Sequence, residues 1–275
     1  MTESRIAALV LVGTCSLWAF SFPLLKALER LGHVHAPGNS SLFYSALLVA
    51  LRFSVAGAVF GAFIAIRHWT GASRPGSVRA RPLISKLEWQ QGLGIGFFGG
   101  FGLLLQMDGL AYTHGSVSAF LTQGYAVIIP LWVALTTRRP PGWRVVGACV
   151  LVCAGAAILA GVSSDRLYLG RGEWETLAGS VLFAGQILWL ERPKYSGNDS
   201  TRATTIMFTI MAAVMWPLAL LLAKTPMDIV RAYSSSDVWV LFSLLTLLCT
   251  LATFPLANHW QPKLPAIQAG LLYCT

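Results

Sequence analysis

The sequence predicts an all-α integral membrane protein of about eight to nine spans, on three observations. Of its 275 residues, 55% are hydrophobic and only 11% charged, whereas soluble domains carry roughly 25% charged residues. A chain this apolar cannot cover its own surface in water, so lipid must solvate much of it. The apolar residues fall into stretches of about 20, enough to cross a hydrocarbon core about 30 Å thick. Lys and Arg gather between those stretches, mostly on alternate connections, as cytoplasmic loops do. The net charge of +9 is explained by those loops, so the lipid bilayer and not nucleic acid is the expected macromolecular partner.

The first span runs from Ile6 to Leu28. It is too long for a signal-peptide core and no small-x-small cleavage site follows it, so it is expected to be retained. The second spans Ser45–Ile66 and leads into a basic connection with Arg74, Arg79, Arg81 and Lys86. The third (Gly92–Tyr112) and fourth (Val117–Thr137) are joined only by Thr113–His114–Gly115–Ser116. Two long apolar segments joined so tightly form an antiparallel hairpin. Arg138, Arg139, Pro140 and Pro141 close it and lead to the fifth span, Trp143–Val162. Trp174–Leu190, Thr204–Ala223 and Val238–Ala257 make the sixth, seventh and eighth. After Pro265 a further apolar segment, AIQAGLLYCT, begins; about ten residues do not cross a bilayer, so it reads as a ninth span cut short. With the N-terminus in the cytoplasm, Arg5, Arg67, Arg74, Arg79, Arg81, Lys86, Arg138, Arg139, Arg144, Arg192, Lys194, Arg202 and Lys263 all lie inside. Only Arg30, Arg166, Arg171, Lys224 and Arg231 lie outside, and this bias sets the expected orientation.

A faint internal symmetry accompanies this pattern. Ser118–Ala119, after the third span and its turn, matches Pro265–Ala266 after the eighth. A repeat of five spans inverts its second copy across the membrane, as in many secondary transporters. Further landmarks follow the same order. Trp18–Ala19–Phe20–Ser21–Phe22–Pro23 lies late in the first span, Leu51–Arg52–Phe53 opens the second, and Leu110–Ala111–Tyr112–Thr113 closes the third. Pro130 lies inside the fourth, and Gly147 and Gly155 lie in the fifth. At these residues the chain resembles the EamA-like ten-helix exporters of the drug/metabolite transporter superfamily. The resemblance covers essentially the whole chain. It implies two inverted five-helix repeats, 1–162 and 163–275, the second truncated, in a bacterial-type plasma (inner) membrane. An acid in the third span, Asp108, and an end before a tenth helix depart from the family's pattern.

Polar residues inside apolar spans mark the candidate site. Gln106, Gln123 and Gln186 would each leave an amide unpaired against lipid, at a cost of a few kcal/mol, so they are expected to face the interior, as interhelical bonds or as solute contacts. Trp18 and Tyr125 lie too deep for an interfacial belt; with Phe22 they could wall a cavity for an apolar or cationic solute. Gln123 and Pro130, seven residues apart, share a helix face, where the proline would free a carbonyl. Arg52 and Asp108 have opposite charge and similar expected depth, and are expected to pair across their helices. Lys26 is expected to snorkel to the outer interface.

No cofactor or metal is expected. The five cysteines lie in apolar segments and read as small fillers, and His33–Val34–His35 offers two ligands, too few for a site. No GxxxxGK[ST] loop occurs, so nucleotide-driven transport is not indicated. The expected function is a secondary transporter exporting small metabolites or amphipathic compounds, its small-molecule solute crossing a central cavity between the repeats by alternating access. It is expected not to be an enzyme, and a homo-oligomer is compatible with it. The alternatives are an integral membrane enzyme acting on lipids, which would need clustered acids, histidines or a metal near the headgroups, and a non-transporting assembly subunit.

Overall fold

The computed structural model describes residues 3–72, 84–159 and 169–274. Arg74, Arg79 and Arg81 of the basic connection, Arg166, and the expected repeat boundary at 162–163 lie outside the described residues. The helices are α1 (Glu3–Ala19), α2 (Ser21–His35), α3 (Ser41–Ala72), α4 (Lys86–Tyr112), α5 (Gly115–Thr122), α6 (Tyr125–Thr137), α7 (Trp143–Leu159), α8 (Arg171–Leu190), α9 (Ser200–Leu222), α10 (Pro226–Arg231), α11 (Ser236–Thr246), α12 (Thr253–Trp260) and α13 (Ala266–Leu272). Among the described residues there is no strand. Six stretches are long and apolar enough to cross a bilayer: Glu3–His35, Ser41–Thr70, Lys86–Tyr112, Gly115–Thr137, Ser200–Leu222 and Ser236–Lys263. Helix α7 is apolar but shorter, and α8 opens on Arg171, Glu173 and Glu175. The protein is thus all-helical with six candidate membrane-spanning stretches. Leu135, Leu151, Ile158 and Leu221 point outward and exposed, the placement that lipid rewards.

Sequence-local chemistry sets where the helices start. Ser85 and Glu88 form a capping box on α4, each side chain bonding the other residue's backbone N–H. Asp199 caps α9 by accepting from Thr201 and Arg202. Glu88 also accepts from the Asp199 N–H at 3.2 Å, so the starts of α4 and α9 are tied together. Helix α4 packs lengthwise between α8 and α9, while α3 lies along the other side of α9. The approach to α9 demands glycine at Gly92, because a Cβ there would sit 2.5 Å from the Ile206 Cβ.

Three of the long stretches are interrupted in mid-course. The first breaks at Phe20, between α1 and α2. Pro23 has no N–H for the Ala19 carbonyl, and the Ser21 hydroxyl donates to the Trp18 carbonyl at 2.6 Å. The fourth breaks at Gln123–Gly124, between α5 and α6, through tight turns from Gln123 N–H to Phe120 O and from Gly124 N–H to Leu121 O. Glycine is required here too: a Cβ at Gly124 would meet the Ser180 Oγ at 2.9 Å. Between α11 and α12 the last of the six, Ser236–Lys263, widens into a π-helical turn, Leu247–Ala252. Such interruptions at membrane depth persist where they are buried in protein or line a cavity.

Candidate functional site

The interruptions converge on a central cavity of about 640 Å³. The break in the first stretch presents Trp18, Ala19, Ser21 and Phe22; the break in the fourth presents Thr122, Gln123 and Tyr125. Phe254, Ala257, Asn258 and Gln261 follow the π-helical turn, and Phe183 and Gln186 of α8 complete the opposite wall. A second cavity, among Leu25, Leu28, Tyr44 and Met107, is far smaller at about 30 Å³ and has room only for water.

The backbone carbonyl of Cys249, in the π-helical turn, joins three elements. It accepts from the Trp18 indole N–H at 3.2 Å, from Nη2 of Arg52 at 2.8 Å and from the Thr253 hydroxyl at 2.9 Å. This carbonyl holds the Trp18 ring and the Arg52 guanidinium at the cavity wall. Trp18 meets Phe254 edge-on at 5.4 Å between ring centroids and Tyr273 at 5.7 Å. Tyr273 stands edge-on to Tyr125 at 6.3 Å. The Tyr273 hydroxyl donates to Gln261 Oε1 at 3.0 Å, whose Nε2 donates to the Ile187 carbonyl at 3.2 Å. An aromatic wall is thereby braced by a satisfied polar chain.

Of the residues expected at the site, Trp18, Phe22, Gln106, Gln123, Tyr125 and Gln186 all line the cavity. Their amides differ in how far they are spent. Gln106 is buried and donates to the Thr122 hydroxyl at 2.8 Å, an interhelical bond. Gln123 Oε1 accepts from the Tyr125 hydroxyl, and among the described residues its NH2 has no partner. Gln186 has one weak contact, from Nε2 to the Met207 sulfur at 3.9 Å.

Two expectations are corrected. Pro130 does not line the cavity; it is buried in α6. The helix breaks between Gln123 and Pro130, so the two do not share a face. The carbonyl that Pro130 leaves free belongs to Ala126, and the Cys149 thiol of α7 reaches it at 3.7 Å. The Arg52–Asp108 pair does not form. Arg52 donates to the Thr250 hydroxyl and the Cys249 carbonyl, whereas Asp108 binds Nη2 of Arg171 at 2.8 Å and accepts from the Ser41 hydroxyl. The physical reason is helix rotation: both charges are buried, but α3 turns Arg52 toward the π-helical turn and α4 turns Asp108 toward the first residue of α8.

Sequence reasoning missed two features of the wall. Lys26 lines the cavity; its ammonium donates to the carbonyls of Leu110, Ala111 and Thr113 at the end of α4 and lies 3.9 Å from Glu29. Asn258 and Gln261 fall near the end of an apolar stretch, where position alone gave them no weight; Asn258 donates to the Thr204 hydroxyl at 2.9 Å. Among the described residues no group of three His, Cys, Asp or Glu could hold a metal ion. Compared with protein-family models and with curated proteins, the chain matches none.

Proposed function

We propose that the protein is a secondary transporter whose central cavity holds a small amphipathic solute during export by alternating access. The observation that carries this reading is the cavity of about 640 Å³ walled by three interrupted membrane-length stretches. Transporter sites are built from such discontinuous helices near the bilayer midplane, and a cavity of this size suits a drug-sized solute. Trp18, Phe22 and Tyr125 supply stacking surfaces, while Gln123 and Gln186 offer hydrogen bonds that the fold has not used.

The neighbour relations support two inverted five-helix repeats of EamA-like type. Take the spans as numbered along the sequence and exchange one with six, two with seven, three with eight and four with nine. The packing of three on six then maps onto that of eight on one, and four on six onto nine on one; two on seven and four on nine map onto themselves. All of these contacts occur. In this reading the N-terminus is cytoplasmic, which the Lys and Arg bias supports, and the membrane is a bacterial-type plasma membrane, as the resemblance implies.

The test is tolerance to a panel of growth-inhibiting amphipathic compounds in cells expressing the full-length protein. Raised tolerance to at least one compound is expected, and it should be lost in Trp18→Ala and Gln123→Leu at unchanged membrane abundance. Altered lipid composition with unaltered tolerance would contradict transport and favour a membrane enzyme.

A further inference from the structure

Among the described residues, two cations and no carboxylate line the cavity. The two cations are held differently. Lys26 has Glu29 as a counter-charge at 3.9 Å and the carbonyl-rich C-terminal end of α4 around its ammonium, the end of a helix that favours positive charge. Arg52 has neither. It is 2% exposed, and among the described residues no carboxylate lies within 4.0 Å of its guanidinium. Its acceptors are a neutral hydroxyl, Thr250, and a neutral carbonyl, Cys249 O. The nearby Cys249 thiol donates to the Leu17 carbonyl at 3.2 Å, so it keeps its proton and supplies no anion. Nη1 makes no hydrogen bond to the described protein. A buried guanidinium held this way bears its desolvation cost with no ionic partner to offset it.

We infer that a solute supplies the missing charge: the cavity takes an organic anion, with a single negatively charged head near Arg52 and an apolar or aromatic body against Trp18, Phe22, Phe183 and Phe254. The inference rests on the reading of the cavity as a solute site and adds the sign of the charge. The guanidinium fork suits a carboxylate, sulfonate or phosphate oxygen pair, and a cationic solute would meet the Arg52 charge, which no acid among the described residues balances.

The test measures the potential inside the cavity. A cysteine-free protein carrying Gln123→Cys is reacted with a matched pair of thiol reagents, the anionic 2-sulfonatoethyl and the cationic 2-(trimethylammonio)ethyl methanethiosulfonate. The anion-to-cation rate ratio is compared with the same ratio for free 2-mercaptoethanol. A ratio raised by about tenfold or more is expected, as an unbalanced charge in a partly desolvated cavity produces. Arg52→Met should bring the ratio back towards the free-thiol value, and Arg52→Lys should keep it raised. A ratio at or below the free-thiol value in the protein that retains Arg52 overturns the inference, even if Arg52→Met fails to fold. A raised ratio that survives Arg52→Met, or that collapses with Lys26→Met instead, also overturns the assignment to Arg52. Failure of the introduced thiol to react with either reagent overturns the solute cavity itself.

Discussion

Two buried charges, Asp108 and Arg52, have opposite environments. Asp108 is 1% exposed and fully partnered. Arg171 bonds it at 2.8 Å and stacks over the Tyr112 ring at 4.1 Å, while the Ser41 hydroxyl donates to its other oxygen. That cluster joins α3, α4 and α8 into a clamp. Arg52 is as deeply buried but has only neutral acceptors, and it borders open space. A fold that satisfies one buried charge so thoroughly has the means to satisfy another. The contrast therefore separates a charge used to hold helices together from one kept available to something that is not part of the chain.

The largest expected effect comes from breaking the clamp. Arg171→Ala leaves Asp108 buried without its ion pair and should cost about 2–3 kcal/mol; the range is below that of a fully buried pair because Arg171 is half exposed. Arg52→Met should change stability by no more than about 1 kcal/mol, since it removes an unbalanced buried charge together with two hydrogen bonds. Thermal denaturation in detergent separates the two; equal losses would make Arg52 a structural residue.

A smaller effect sharpens the same contrast among the amides. Gln106→Leu removes a buried bond to Thr122 and should cost about 1 kcal/mol. Gln123→Leu and Gln186→Leu should cost less than about 0.5 kcal/mol, because the fold leaves most of their bonding capacity unused. If the Gln186 variant loses as much as the Gln106 variant, that amide belongs to packing and not to the cavity.

The smallest effect concerns a charge held outside the spans. Asp228 accepts from the Thr225 N–H at 3.0 Å at the start of α10. Burial pushes its carboxyl up, but hydrogen bonds from Asn39 and Thr225, together with the Arg231 charge, outweigh it and leave it below the usual carboxylate range. Because the folded value is depressed, the stability it confers is present above the ordinary aspartate value of about 3.9 and is lost as pH falls below it. Asp228→Asn should flatten that part of the stability–pH curve, and an unchanged curve would remove Asp228 from the list of held charges.

Much of this arrangement was legible in the sequence. Six of the eight expected spans fall on stretches long and apolar enough to cross a bilayer, because an apolar run of that length has few other solutions; the fifth and sixth fall on α7, which is shorter, and on α8, which opens on charged residues. Trp18, Gln123, Tyr125 and Gln186 reach the cavity for a related reason: polar atoms at that depth must avoid lipid. Pairing was not legible. Arg52 and Asp108 have matching depth and opposite sign, but contact depends on rotation about each helix axis, which spacing along one chain leaves free. The true partner, Arg171, lay three residues before the expected start of the sixth span, and one more helical turn brings it in. The break in the fourth stretch was not expected: Pro130 stood out as the residue that frees a carbonyl, whereas the tight turns fall at Gln123–Gly124. Nothing in Leu247–Ala252 announces a π-helical turn, and the donors its Cys249 carbonyl takes, from α1 and α3, are distant in sequence.

The most direct measurement is a pair of double-mutant cycles on thermal stability, one combining Asp108→Asn with Arg171→Met and the other combining Asp108→Asn with Arg52→Met. Contacting charges couple by roughly 0.5–3 kcal/mol, while groups without shared partners add to within about 0.5 kcal/mol. Coupling of at least about 1 kcal/mol in the first cycle and none resolved in the second is the predicted result. Strong coupling between Asp108 and Arg52 would mean that the two buried charges neutralise each other, and the cavity would hold no unbalanced cation.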